Sequence, residues 1–248
     1  MTRRVILILG CHRSGTSVVA RAMQCLGASF PSDLMPASRE NPTGYWESAK
    51  VQHLNDHILR RCGGTTWDQP LEPERLAGLR LGMETDYAVA WLAEQPPLLA
   101  LKDPRMCRLL PFWRPVFAAA EVEVSVVHVL RHPMAVAQSL RKRGISVERG
   151  LALWLEHVVR AREDVDPRWP QAQVDFRNFV ESYGCEDEMH MVSGRLGISM
   201  DLNELSSFNS EFVRSDLMHE NIEDKANQNL PFLVWAVWEF VQWNPEYA

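Results

Sequence analysis

The chain has 248 residues, of which 46% are apolar and 23% charged, enough to bury one substantial core and unlike the composition of a disordered segment. Its formal net charge is −6 and its isoelectric point near 5.8, which excludes a general basic field that would draw nucleic acid or a membrane surface. The five cysteines are odd in number, widely spaced and without a C-x-x-C pair, so they predict thiols in a reducing compartment rather than a disulfide framework.

In chain order, Arg3-Arg4 precede an apolar run that is too short for a secretory signal, and no apolar stretch approaches membrane length, so a cytoplasmic protein is expected. Val5 to Leu9 predicts a short buried strand. It ends at Gly10, and Cys11-His12-Arg13-Ser14-Gly15 form a polar loop before Val18, Val19, Ala22, Met23 and Leu26 recur at helical spacing. Unpaired backbone N–H groups at the start of that helix point at an anion. The nucleoside-triphosphatase version of such a loop, G-x-x-x-x-G-K-[ST], carries a lysine where this chain has Thr16, and the only cation inside the loop is Arg13. A phosphate ester without a γ-phosphate suits this loop better than ATP.

Ser29 to Tyr45, punctuated by proline and serine, predicts a long ordered loop able to cover a site. Val51, Leu54, Ile58 and Leu59 predict a helix ending at Gly63-Gly64, and a further helix is expected from Pro73 towards Leu92. Leu98 to Leu101 predicts a second strand with Lys102-Asp103 at its carboxyl end, where ligands bind in open parallel sheets. A helix follows from Met106 to Ala119, then a β-branched strand from Val122 to Leu130 that ends at Arg131-His132-Pro133. Pro133 fits the first helical turn, and Ser139 lies about two turns beyond Arg131, so the two are expected to share one phosphate. Anion sites at two strand ends imply a ligand with two separated phosphates. Helices around Met134 to Lys142 and Val147 to Arg160 and a strand at Gln173 to Phe176 complete this part. The remainder is expected to be mostly helical, with Met189, Val192 and Leu196 marking one helix before Gly197. Leu230 to Trp243 is strongly apolar and either packs on the domain or forms a contact in a homo-oligomer. The alternation predicts an α/β fold, a P-loop-type mainly parallel sheet flanked by helices with a helical C-terminal segment, in one domain over residues 1–248.

The motifs, taken together, resemble the sulfotransferases that use 3′-phosphoadenosine 5′-phosphosulfate, especially the soluble bacterial members. Gly10-Cys-His-Arg-Ser-Gly-Thr-Ser17 is similar to the loop that holds the 5′-phosphosulfate end of the donor, and Val129-Leu-Arg-His-Pro133 with Ser139 to the segment that holds its 3′-phosphate. Asn41-Pro-Thr-Gly-Tyr-Trp-Glu47 and Leu101-Lys-Asp-Pro-Arg105 resemble segments near the sulfuryl group and acceptor, and Phe212 to His219 resembles a late family segment ending in histidine. Gln173 to Val180 departs from the pattern by lacking the usual tyrosine-acidic-leucine run. The resemblance implies donor binding by His12, Arg13, Ser14, Gly15, Thr16, Ser17, Arg131 and Ser139, with no metal requirement.

Sulfuryl transfer needs positioning and charge stabilisation more than covalent catalysis. Arg13 and Lys102 are the candidates for the charge that builds on the departing bisphosphate. Glu47 is the preferred base for a hydroxyl acceptor, because the neighbouring Tyr45 and Trp46 are expected to shield it and raise its pKa; capping the helix at Ser48 is its plainer role, and Glu40 and His53 are the reserves. Asp103 and Arg105 are expected to pair internally and hold Lys102 in place. His128 is read as a satisfied core histidine, and His53 and His57 as surface residues despite their metal-compatible spacing. The acceptor, a small molecule, carbohydrate, lipid or peptide, is not written in the motifs. A P-loop kinase-like enzyme and a non-catalytic binder of bisphosphate nucleotides are the alternatives.

Overall fold

A computed structural model describes residues 2–38, 41, 43–180, 184–211 and 230–243. Four strands, β1 (Arg4–Leu9), β2 (Leu98–Lys102), β3 (Glu123–Leu130) and β4 (Gln171–Asp175), form one sheet in the order β2-β1-β3-β4, every neighbouring pair parallel. Register places Ile8 beside Lys102 and Leu9 beside His128, so the carboxyl ends of β1, β2 and β3 lie at one edge.

Both faces are covered, as an all-parallel sheet requires. Val5, Leu7 and Leu9 face a cluster filled by helices α2 (Ala49–Arg61), α4 (Gly82–Ala93) and α5 (Met106–Ala119). Ile6 and Ile8 face the opposite cluster, built by α1 (Thr16–Ala22), α8 (Phe176–Val180), α9 (Gly184–Leu196) and α10 (Leu202–Glu211). A third cluster joins α6 (Pro133–Arg141), α7 (Val147–Asp164) and α11 (Phe232–Trp243) to Cys11 and Leu130. Pro133 stands in the first turn of α6, as its ring and missing N–H favour.

Two expectations need correction. The helix expected from Pro73 towards Leu92 is two helices, α3 (Pro73–Ala77) and α4, because Gly78 ends the first and the chain leaves helical geometry at Leu81 before restarting. The last strand runs from Gln171 to Asp175 rather than Gln173 to Phe176; Phe176 instead opens α8. The helix before Gly197 and the loop across Ser29 to Tyr45 are present, the loop pinned by isolated pairings of Ser29 with Leu99 and Leu34 with Ser48. The segment Phe212 to His219 lies outside the described residues, and so does Glu40. The terminal apolar stretch folds back: Val234, Trp238 and Val241 are buried against the third cluster, while Phe232, Leu233, Trp235 and Phe240 are exposed.

Candidate functional site

β1 and β3 are neighbours, and their following helices pack on different sides: α1 against Ile6 and Ile8, and α6 with α7 in the third cluster. That divergence marks the region beyond the strand ends, the general ligand position in open α/β sheets. The loop from Gly10 to Gly15 enters it. Arg13 and Gly15 have left-handed φ values of 70° and 87°. For Arg13 this conformation costs about 1–2 kcal/mol, and such strain collects at functional sites. The loop is also sterically fixed. A β-carbon on Gly10 would lie 2.8 Å from Val129 O, and one on Gly15 would lie 1.9 Å from the Phe176 ring. Ser14 N–H donates to Cys11 O at 3.1 Å, and Gly10 N–H donates to Cys107 Sγ at 3.2 Å, tying the loop to α5.

Arg13, Arg131 and Ser139 come together here from three places in the sequence. Arg13 Nε donates to Ser139 Oγ at 3.0 Å, and Arg131 donates through a guanidinium nitrogen to Arg13 O at 2.9 Å. The Arg131 guanidinium stacks over Phe176 at 4.8 Å, and Trp154 Nε1 donates to Arg131 O at 2.9 Å, fixing the backbone it rises from. Ser139, expected to share a phosphate with Arg131, accepts from Arg13, and Arg13 bridges the two strand ends. Ser14 and Thr16 are buried in the loop and the first turn of α1, and Ser17 donates to Tyr45 O at 3.3 Å.

The end of β2 carries a different arrangement. Lys102 Nζ donates to Glu47 Oε1 at 2.5 Å, Tyr45 O at 3.2 Å and Ser17 Oγ at 3.4 Å. Arg105 NH1 lies 3.6 Å from Glu47 Oε2 and donates to Asp103 at 3.0 Å, while Nε donates to Asp56 at 2.6 Å. Asp103 also accepts from Asn55 at 3.0 Å, and Asn55 accepts from Trp113 Nε1 at 2.9 Å. Glu47, Lys102, Asp103 and Arg105 are all buried. Burial pushes the Glu47 carboxyl above the usual carboxylate range, against the pull of Lys102; burial also works on Arg105, but Asp103, Asp56 and Glu47 outweigh it and hold the guanidinium charged. The expected Asp103–Arg105 pair is therefore present. Helix α2 is capped by Ser48, which accepts from Val51 N–H at 3.1 Å, and Glu47 points away into the charged cluster.

His12 turns its ring inward. It packs 4.5 Å from Trp67 and 5.7 Å from His157, its Nε2 is enclosed with no hydrogen-bond partner, and burial together with Arg105 pushes its pKa well below the ordinary value. His157 lies beneath it on α7, Nδ1 against Leu153 O at 2.7 Å. His128 is buried with Nε2 3.0 Å from Gln171, as expected of a core histidine. His53 is exposed, and His57 pairs with Glu84. Among the described residues no group of three or more His, Cys, Asp or Glu side chains is placed to hold a metal ion, and no helix is long and apolar enough to cross a membrane.

Asn55, Asp56, Trp113, Phe176 and His157 were missed by the sequence reading. Two left a trace: Asn55 follows Leu54 and precedes Ile58 on the buried stripe of α2, and His157 sits among Leu153, Trp154, Val158 and Ala161 on α7. A polar residue inside an apolar stripe is the sign of a buried partner.

No protein-family profile and no curated protein matches the chain. Among solved structures it is similar to the sulfotransferase domain of the Synechococcus PCC 7002 olefin synthase, at 17% identity and a TM-score of 0.47, covering 96% of this chain and 88% of that one. It is similar also to the sulfotransferase domain from the curacin biosynthetic pathway, at 15% identity and a TM-score of 0.50, covering 90% of this chain and 81% of that one. With a parallel sheet clad by helices and this second likeness, the chain has a sulfotransferase-like fold.

Proposed function

We propose that the protein is a sulfotransferase that moves the sulfuryl group of 3′-phosphoadenosine 5′-phosphosulfate to a hydroxyl or amine acceptor, acting as one domain. The observation that carries the reading is the meeting of Arg13 with Ser139 and Arg131 beyond the ends of β1 and β3, beside a loop in which Gly10 and Gly15 leave no room for side chains. Backbone and guanidinium donors gathered in this way fit phosphate groups.

The donor supplies an activated sulfuryl group and a bisphosphate leaving group. Ser14, Gly15, Thr16 and Ser17, at and before the start of α1, bind its 5′ end, with His12 setting the loop's position from below. Arg131 and Ser139 hold the 3′-phosphate. Arg13 and Lys102 carry positive charge to the region where negative charge grows on the leaving oxygen, which is worth roughly 2.7–4 kcal/mol per well-placed donor. Glu47 accepts the proton of a hydroxyl acceptor. The acceptor enters beside Tyr45 and the loop from Ser29, and it is a small molecule, carbohydrate, lipid or peptide.

Calorimetric titration of wild type and Arg131→Ala with adenosine 3′,5′-bisphosphate, and separately with ATP and magnesium, tests the reading. The bisphosphate should bind wild type and weaken by at least about tenfold in the variant, the order expected when a charged hydrogen bond worth roughly 1.5–3 kcal/mol is lost. Tighter binding of ATP, or binding of neither nucleotide, would overturn it.

A further inference from the structure

An ammonium has three protons to donate. Lys102 commits them to Glu47 Oε1, Tyr45 O and Ser17 Oγ, so contact with a sulfuryl donor requires one of these bonds to open. The bond to Glu47 is the one an incoming anion weakens most, because the anion competes for the same positive charge, whereas the carbonyl of Tyr45 is neutral. Glu47 is also the partner that can be released without being stranded. Arg105 NH1 stands 3.6 Å from its other oxygen, and Arg105 is itself held by Asp103 and Asp56.

Resting on the sulfotransferase reading, we propose that Lys102 and Glu47 form an exchangeable pair in which donor engagement draws Lys102 off Glu47, Arg105 retains the carboxylate in place, and the freed oxygen becomes the base. Arg105 is then a positioning residue, and proton removal from the acceptor follows donor binding rather than preceding it. In the transfer step Glu47 takes the acceptor's O–H proton and the acceptor oxygen bonds to sulfur. The bond from sulfur to the bridging oxygen breaks, and its electron pair stays on the departing bisphosphate opposite Lys102.

The surroundings of Glu47 support the exchange. Lys102 comes from β2, Asp103 and Arg105 from the turn after it, Asp56 from α2 through Arg105, and His12 from the loop after β1. His12 is held neutral and adds no compensating charge. With Lys102 withdrawn, burial and Asp103 both favour a proton on Glu47.

Adenosine 3′,5′-bisphosphate is the product of the transfer, and with it bound Glu47 should hold the proton that it takes from the acceptor in turnover, so the exchange predicts proton uptake on binding this nucleotide. Adenosine 3′,5′-bisphosphate is titrated into the full chain at constant pH in buffers of different ionisation enthalpy, with wild type and Glu47→Gln compared. Wild type should take up a larger fraction of a proton than the variant, and Glu47→Gln should bind at least about fivefold tighter, the lower end of usual coupling between sites, because nothing anionic then competes for Lys102. Arg105→Gln should move the uptake to higher pH, and Arg105→Lys should restore it, a response that a merely structural arginine would not give. Equal uptake by wild type and Glu47→Gln, or weaker binding by Glu47→Gln, overturns the exchange while leaving the donor site standing. Failure of both proteins to bind the bisphosphate removes the donor site, and the exchange with it.

Discussion

The two halves of the candidate site, beyond β1 and beyond β2, are made by different means. Beyond β1 the loop is shaped by backbone geometry, with Gly10 pressed towards Val129 O and Gly15 against Phe176. Beyond β2 the shape comes from charge, in a lattice of buried Lys102, Glu47, Arg105 and Asp103 with half-buried Asp56 that closes on Asn55 and Trp113. A steric site fails when volume is added. An electrostatic one fails when a single charge is taken away, because its partners stay behind in a medium that does not solvate them. The side expected to hold phosphate is rigid by exclusion, and the side expected to handle the proton is rigid only as long as its charges balance.

The largest effect should come from breaking the charged side. Arg105→Ala removes the cation shared by Asp103, Glu47 and Asp56, leaving Asp103 with only the neutral Asn55 among its bonds described above, and is expected to cost about 3 kcal/mol of unfolding free energy, read as a lower midpoint in urea. Arg105→Lys should lose less, although an ammonium cannot reproduce the planar fork that reaches Asp56 and Asp103 together. On the steric side, Gly15→Ala forces a left-handed φ on alanine and a β-carbon into Phe176, for about 2–4 kcal/mol; a second change, Phe176→Ala, should recover the packing part but not the backbone part.

pH separates the sides further. His157 beneath the loop has its pKa lowered by burial and Arg108 to about 3 from an ordinary 6.5. Its folded form resists the proton that the unfolded chain accepts. The stability it contributes is whole above about pH 6.5 and is lost progressively as pH falls towards 3, amounting to about 2–3 kcal/mol by pH 4.5. A urea series across that range should show the loss, and His157→Phe should reduce it without abolishing it, because His12 and His128 are lowered in the same way. The smallest effect belongs to Ser139→Ala. Arg13 loses one neutral partner, stability should change by about 1 kcal/mol or less, and the result to watch is bisphosphate affinity rather than the unfolding midpoint.

Much of this arrangement was legible in the sequence because it depends on local signals. The apolar run before Gly10 marks β1, the bounds Met106 and Ala119 of α5 emerge as expected, and Pro133 announces the start of α6. Lys102 at a strand end and Glu47 before a helix could be nominated for the same reason. What periodicity does not carry is which strand ends are neighbours. Arg13 and Ser139 are far apart in sequence, and only the order β2-β1-β3-β4 brings their loops together. Nor does it say where a charged side chain finds its counter-charge. Glu47 was expected to draw its raised pKa from Tyr45 and Trp46, yet Tyr45 turns its carbonyl to Lys102, Trp46 packs against Phe30, and the carboxylate meets two cations. The break between α3 and α4 escaped for a simpler reason: one glycine and one residue outside helical geometry outweigh an apolar pattern that runs straight through them.

The five free thiols are spread through the interior, Cys62 and Cys107 on one face of the sheet, Cys25 and Cys185 on the other, and Cys11 of the loop in the third cluster. Burial raises them all, Cys25 to about 11 and Cys107 and Cys185 to about 12, so the reactive thiolate scarcely exists while the fold is closed. Each cysteine is thus a silent clock set to its own neighbourhood: it begins to run when that layer opens, and Cys11 and Cys107 keep time for the loop itself.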